Sequence, residues 1–248
     1  MRIRILHFDT LDSTNLEALR HARHGAEEGL CIVALQQTAG RGRRGRDWVS
    51  LAGNGLYLSI LLRPALDDQT LPLITLMAAV AVHDVLSASV GLKPDIKWPN
   101  DILVNEKKIC GILAESSETE YGLAVVVGIG INLRSPADEA AMPSATSIES
   151  EGGKSDGDDV LSAVTRSFAS YYDVLQTPSG PKTILEEWRR RSTYFSGKEV
   201  KAEIENNKII TGVTDGLEAN GALRVRAADG EIHAVHAGDV ASLRLSET

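Results

Sequence analysis

The sequence predicts an α+β fold, a mixed and mainly antiparallel sheet packed by helices, followed by a small β-barrel. Three observations carry that expectation. Asn105-Glu106-Lys107 and Ser117 to Gly122 are spacers of hairpin length between apolar runs, so antiparallel neighbours are expected. The segment from about Thr70 to Val90 is apolar on nearly every face, as a helix buried against a sheet must be. From Gly197 onward the chain breaks into short β-type runs separated by Asn206-Asn207, Asn220-Gly221 and Asp229-Gly230, a spacing suited to a small barrel.

Taken in order, Ile3 to Phe8 reads as a strand, and Asp12-Ser13-Thr14-Asn15 offers N-cap chemistry to a helix reaching about His24. Gly25 and Gly29 mark its exit. Leu30 to Gln36 is an apolar run of strand length, and after a glycine-arginine loop Gly53-Asn54-Gly55 turns the chain into a strand from Leu56 to Leu62, which Pro64 ends. Gly91 stops the buried helix. Three strand candidates follow: Ile96 to Trp98 continuing through Ile102 to Val104, then Lys108 to Ser116, then Leu123 to Ile131. Residues 134–159 read as a loop or short helix with an exposed connection, and Val160 to Gln176 and Thr183 to Arg191 as two helices. The last strands are expected at Glu199 to Ile204, Lys208 to Thr214, Ala222 to Ala227, Glu231 to Val235 and Val240 to Leu245. The boundary near Ser196 divides the 248 residues into an expected catalytic unit, 1–196, and a barrel unit, 197–248.

The formal net charge is −8, which disfavours a general nucleic-acid binder. Two distant cysteines, Cys31 and Cys110, suggest neither a zinc knuckle nor a disulfide framework, and a reducing cytoplasm is the expected setting. The N-terminus lacks the pattern of a signal peptide, and the longest apolar stretch, Leu71 to Val82, falls short of the roughly 20 residues needed to cross a bilayer.

Against this acidic background, Gln36 to Trp48 holds four arginines, three glycines and a tryptophan. Glycines clear space and permit unusual backbone angles, so amide N–H groups and guanidinium forks can converge on a phosphate or carboxylate. A solvated basic loop is the plainer alternative. Gly40-Arg41-Gly42-Arg43-Arg44-Gly45 also matches G-x-G-x-x-G, but no helix follows it, so a dinucleotide fold is rejected; no companion kinase motif is present either. Lys97-Trp98-Pro99-Asn100-Asp101-Ile102 sets an amide beside a carboxylate, which suits a nucleotide phosphate, directly or through Mg²⁺, or simply a tight turn. Lys108 stands at the mouth of an apolar strand, with Gly111 where a ligand or backbone could come close. Gly128-Ile129-Gly130-Ile131-Asn132 is a strand with two glycines, which calls for close contact on one face, with a ligand or with a packed helix. His21 and His24 share a helix face and His233 and His236 lie on or beside a strand, but neither pair has partners at zinc-ligand spacing.

In sequence order, Asp12 to Asn15, Gln37 to Trp48, Lys97 to Ile102, Lys108 to Glu115 and Gly128 to Asn132 resemble the motif series of biotin protein ligases. Five motifs in one order are far more specific than any one alone. The resemblance implies a catalytic domain like that of class II aminoacyl-tRNA synthetases with an SH3-like C-terminal barrel. It implies a reaction in two steps: ATP and biotin give biotinyl-5′-AMP and pyrophosphate, then a lysine of a biotin carboxyl carrier domain attacks the mixed anhydride. By motif position, Ser13, Thr14, Asn15 and Gln37 would line the biotin pocket, and Arg41, Gly42 and Arg43 would fold over biotin and the phosphates. Lys108, beside Gly111, would bond the carboxylate and then the acyl-phosphate oxygen; with Arg41 and Arg43 it forms the implied catalytic set. Trp48 would stack on the adenine, while Asn100, Asp101 and Asn132 would serve the nucleotide, Asp101 also as a Mg²⁺ ligand. Arg134 stands where relatives often carry a second Asn.

The chain starts close to the first catalytic strand, so the resemblance points to the monofunctional type, without operator DNA or membrane partners and with a homodimer compatible. A lipoate ligase or octanoyl transferase of similar fold is the nearest rival, and the arginine loop with Lys-Trp-Pro-Asn-Asp favours biotin. A nucleic-acid-binding module is the rival from another class, and net acidity weighs against it.

Overall fold

In the computed structural model, residues 1–135, 143–154, 156–204, 208–237 and 240–245 are described. The expected Asn206-Asn207 turn and part of the connection after Asn132 lie outside them. The first unit runs β1 (Arg4–Leu11), α1 (Thr14–Arg23), β2 (Leu30–Gln37), β3 (Gly55–Leu62), α2 (Leu73–Ala88), β4 (Asp95–Lys97), β5 (Asp101–Val104), β6 (Lys107–Thr119), β7 (Gly122–Asn132), α3 (Gly157–Leu175) and α4 (Gly180–Arg190). Its strands form one seven-stranded sheet in the order β1-β2-β3-β7-β6-β5-β4. Only β1 and β2, joined through α1, are parallel; every other pair is antiparallel.

Two expectations need correction. Ile96 to Val104 is a hairpin, β4 against β5, because Pro99 has no N–H to carry a ladder onward and the chain turns through Pro99-Asn100, where a continued strand was expected. Asp12 to Asn15 supplies less capping than its composition suggests. Ser13, the N-cap of α1, makes no side-chain capping bond, while Thr14 and Asn15 turn into the protein interior. The first-turn N–H of Thr14 is instead met by the Gln37 side chain at 2.8 Å. Elsewhere the differences are shifts of a few residues at element ends; the β6–β7 ladder, for instance, runs on to Thr119 and Gly122 and leaves a two-residue loop.

Alternation along the strands decides which residues face which layer. Leu30 and Ile32 of β2, Leu61 of β3, and Ala124 and Val126 of β7 meet Ala18, Leu19 and Ala22 of α1. Their neighbours Cys31, Val33, Leu58, Ile60, Val125 and Val127 face the opposite layer, the core around α2. Eleven of the sixteen α2 residues are buried, which is why its sequence is apolar all round. Helices α3 and α4 cover its other side with Phe168, Tyr172 and Trp188, all fully buried. Burial of each such side chain contributes about 1.5–3 kcal/mol.

The chain then passes through a 3-10 turn at Thr193–Phe195 into β8 (Ser196–Ile204), β9 (Ile209–Leu217), β10 (Leu223–Arg226), β11 (Ile232–Val235) and β12 (Val240–Leu245). These pair antiparallel in the order β11-β10-β9-β8-β12. The Trp98 indole, 1% exposed, donates to Gly221 O at 3.0 Å and so ties the β4–β5 turn to the second sheet. No described helix is long and apolar enough to cross a membrane.

Candidate active site

The α1 face of the sheet is covered by α1 only in part. Beyond the helix N-terminus the strands present Ser59 of β3, Gly111 and Glu115 of β6, and Gly128 and Gly130 of β7. The glycines make the cavity. A Cβ on Gly128 would stand 2.2 Å from Asn15 Oδ1, and a Cβ on Gly130 or Gly111 would stand 2.5 or 2.8 Å from atoms of the Trp48 ring. Both readings of the glycine-rich strand therefore apply, one glycine receiving a side chain of the packed helix and the other a site residue.

A cavity of 140 Å³ lies over this patch. Ser13, Thr14, Asn15, Gln37, Arg41, Gly42, Arg43, Trp48, Asn100, Asp101, Lys108 and Gly111 all line it. Asn132 does not. Its amide donates to Thr146 O at 2.9 Å, and it faces a neighbouring cavity of 360 Å³ that also touches Trp48, Lys108, Tyr57 and Arg134. The indole of Trp48 thus contributes to both spaces.

At one end, polar groups form a buried chain. The hydroxyl of Ser59, fully buried, lies 2.7 Å from Thr14 Oγ1 and 2.6 Å from Asn15 Oδ1. Thr14 Oγ1 donates to Gln37 Oε1 at 3.1 Å, and Gln37 Nε2 donates to Ser50 Oγ at 2.8 Å. Asn15 Nδ2 donates to Leu113 O at 3.2 Å and to Glu115 Oε2 at 2.7 Å. Such amides are held in one orientation, because buried donors and acceptors without partners cost free energy. Ser59, Ser50 and Glu115 were not expected as site residues. The one signal for Ser59 is a polar residue in the apolar run of β3, Gly55-Leu56-Tyr57-Leu58-Ser59-Ile60-Leu61-Leu62.

At the other end stand the cations. Lys108 Nζ lies 2.6 Å from Asp101 Oδ1 and 5.2 Å from the centre of the Trp48 ring. Arg41 pairs with Glu115 at 3.0 Å. Arg43 donates to Asn100 Oδ1 at 3.4 Å and to the carbonyl of Ala237, in the second sheet unit. Asn100 in turn donates to Ile112 O at 2.7 Å, so its amide orients Arg43 from the strand. Burial lowers the pKa of Arg43, with Asp101 opposing, and likewise that of Lys97, just behind Asp101. Burial pushes the Cys110 thiol far up, leaving it inert next to the site.

The arginine loop is itself a small hairpin. Trp48 N donates to Gly40 O at 2.9 Å and Gly42 N to Arg46 O at 2.6 Å, with a 3-10 turn at its tip. Arg44 and Gly45 there adopt positive φ, 55° and 71°. Gly40 is required where it stands: a Cβ would come within 2.3 Å of Trp48 O. The loop that composition marked as a candidate anion site is therefore a hairpin whose Arg41, Gly42, Arg43 and Trp48 line the cavity.

Comparison with known proteins places this arrangement. Residues 8–132 match the biotin/lipoate A/B protein ligase family, and residues 195–242 match the biotin protein ligase C terminal domain. The chain belongs to the biotin protein ligase family. The ligase is 37% identical over 227 residues to the biotin–[acetyl-CoA-carboxylase] ligase of Paracoccus denitrificans, covering 88% of this chain and 92% of that one. It is 35% identical over 242 residues to the bifunctional ligase/repressor BirA of Bacillus spizizenii, covering 95% of this chain and 73% of the relative. Among solved structures, the biotin protein ligase of Aquifex aeolicus in complex with biotin and ATP superposes with a TM-score of 0.84 at 31% identity, over 98% of the ligase and 99% of that chain. The mixed sheet with packed helices and the C-terminal antiparallel sheet are thus the fold of this family.

Proposed function

We propose that this ligase activates biotin with ATP and transfers it to a lysine of a biotin carboxyl carrier domain, using the cavity beneath the arginine loop. A carboxylate oxygen of biotin attacks the α-phosphorus of ATP and pyrophosphate leaves. The carrier amine then attacks the acyl carbon, losing a proton, and AMP leaves. The observation that carries this reading is the convergence of Arg41, Arg43 and Lys108 with a buried amide chain on one cavity.

Two anionic reactants meet in the first step, and their repulsion must be offset. Arg41, Arg43 and Lys108 can do so, each charge-assisted bond contributing about 1.5–3 kcal/mol. Lys108 serves the carboxylate and then the acyl-phosphate oxygen, while Asp101 and Trp48 hold its ammonium at the cavity. Ser13, Thr14, Asn15 and Gln37 form the polar end for the ureido ring, with Leu113 and the Trp48 ring as apolar surface for the valeryl chain. Arg41, Gly42 and Arg43 cover the ligand. Trp48 offers a face to adenine, supported by the adjoining cavity that Asn132 and Arg134 line; Asn100 and Asp101 lie toward the phosphates.

Mg²⁺ fits this site through Asp101. Among the described residues no cluster of three metal-ligating side chains exists, and a single carboxylate beside nucleotide phosphates is how Mg²⁺ is commonly held. When bound it neutralises phosphate charge during displacement. The reading includes no DNA partner, in keeping with a net charge of −8.

Incubation with biotin, MgATP and an apo carrier domain, followed by intact mass measurement, tests the proposal. The expected result is one biotin added to the carrier. Addition of lipoate in a parallel reaction, with none of biotin, would transfer the reading to the lipoate branch of the family.

A further inference from the structure

We infer that Glu115 is a positioning residue that couples the arginine loop to the biotin pocket, an inference that rests on the function proposed above. Glu115 does not line the cavity, yet its two oxygens reach both halves of it. Oε2 accepts from Asn15 Nδ2 at 2.7 Å and Oε1 lies 3.0 Å from the Arg41 guanidinium. Both partners are donors. An ionised carboxylate is the side chain that offers two acceptors and no donor, so an amide of the same shape can serve one partner only. Asn15 is 3% exposed and its other amide atom is held by Ser59, so it keeps the remaining oxygen. Arg41, whose side chain is 43% exposed, is the partner that loses its bond.

Glu115 sits on β6, in register with Val126 of the central strand β7, so its carboxylate is fixed by the sheet. Arg41 opens the loop hairpin and is bridged to Asp47 at its other end. The pair therefore anchors the base of the loop to the same carboxylate that orients Asn15. A shift of Asn15 moves the anchor, and release of the loop removes a charge from beside Glu115, the acceptor of Asn15.

The test compares wild type, Glu115→Gln, Arg41→Ala and the double variant by two readouts. The first is amide hydrogen exchange of the ligand-free protein at Gly42 and Trp48, whose N–H groups close the loop hairpin. Glu115→Gln is expected to speed their exchange about threefold or more while α1 is unchanged, as loss of a partly exposed ion pair warrants. The second is the dissociation rate of biotinyl-AMP, expected to rise about fivefold in Glu115→Gln, more in Arg41→Ala, which also loses the bond of Arg41 to the ligand, and in the double variant no further than in Arg41→Ala, the mark of one shared interaction. Wild-type exchange in Glu115→Gln, or single effects that add in the double variant, overturns the inference. Should wild type form no biotinyl-AMP, the functional proposal fails while the exchange readout still decides the anchor. Arg41→Ala leaves the Asn15 bond in place, so it keeps the test readable if Glu115→Gln does not fold.

Discussion

Gly111 of β6 and Gly130 of β7 stand opposite each other in the antiparallel ladder, and together they leave a bare patch of sheet on which the Trp48 indole rests. Two side chains are missing at one register position, so a ring from a loop can lie on the strands. That contact positions the same tryptophan against Lys108 and between the two cavities.

Gly130→Ala is therefore expected to displace Trp48, since its Cβ would fall 2.5 Å from Cε2. The KM for ATP should rise about tenfold or more, the equivalent of roughly 1.4 kcal/mol. Steady-state kinetics measures this, and fluorescence reports the ring's new setting against the buried Trp98 and Trp188. An unchanged KM for ATP with unchanged emission would contradict the role given to Trp48.

Lys108→Ala should slow adenylation by about 10²-fold or more, as loss of a positioned electrostatic stabiliser does. It also leaves Asp101 without the ammonium now 2.6 Å away. Rapid-quench measurement of pyrophosphate formation distinguishes this from slow carrier transfer. A wild-type burst would remove Lys108 from the first step.

Ser59→Ala removes the buried hydroxyl between Thr14 and Asn15 and leaves Asn15 Oδ1 without its donor. A buried acceptor left unpaired costs about 1–3 kcal/mol, so biotin binding should weaken by about five- to a hundredfold or the melting temperature should fall correspondingly. Calorimetric titration with biotin, alongside thermal melts, separates the two. Wild-type values in both would show that Asn15 is oriented without Ser59.

Asp84 ties three helices together. It accepts from Arg191 Nε and Nη2 at 2.5 and 2.9 Å and from Tyr171 at 2.7 Å, with His83 beside it. Burial alone would push its pKa up, but hydrogen bonds from His83, Arg191 and Tyr171 outweigh that and hold it well below the usual carboxylate range. A depressed carboxylate contributes stability that is present above its unfolded pKa, near 3.8, and is lost as pH falls through the lower folded value. Asp84→Asn should lower the melting temperature at pH 7 by roughly 2–8 °C, for about 1–2 kcal/mol lost. The variant should also lose less stability than wild type between about pH 4 and pH 2. Parallel melts across that range check it; identical slopes would mean that Asp84 titrates alike in both states.

The order of elements was legible in the sequence because it rests on local causes. The apolar run of β7, the all-round apolar character of α2, and glycines at the chain reversals each follow from one short segment of sequence. The site motifs were legible for a similar reason: Arg41, Arg43, Asn100, Asp101 and Lys108 are residue types that serve few purposes when clustered, and their order matched a family. Tertiary structure alone decided which groups meet. Glu115 lies 100 positions from Asn15 and 74 from Arg41, so no local pattern could pair them. Ser59 acts through its position on a strand face shared with α1, and Asn132 turns toward a second cavity, because register and helix placement, set by packing of the whole sheet, fix what each side chain can reach.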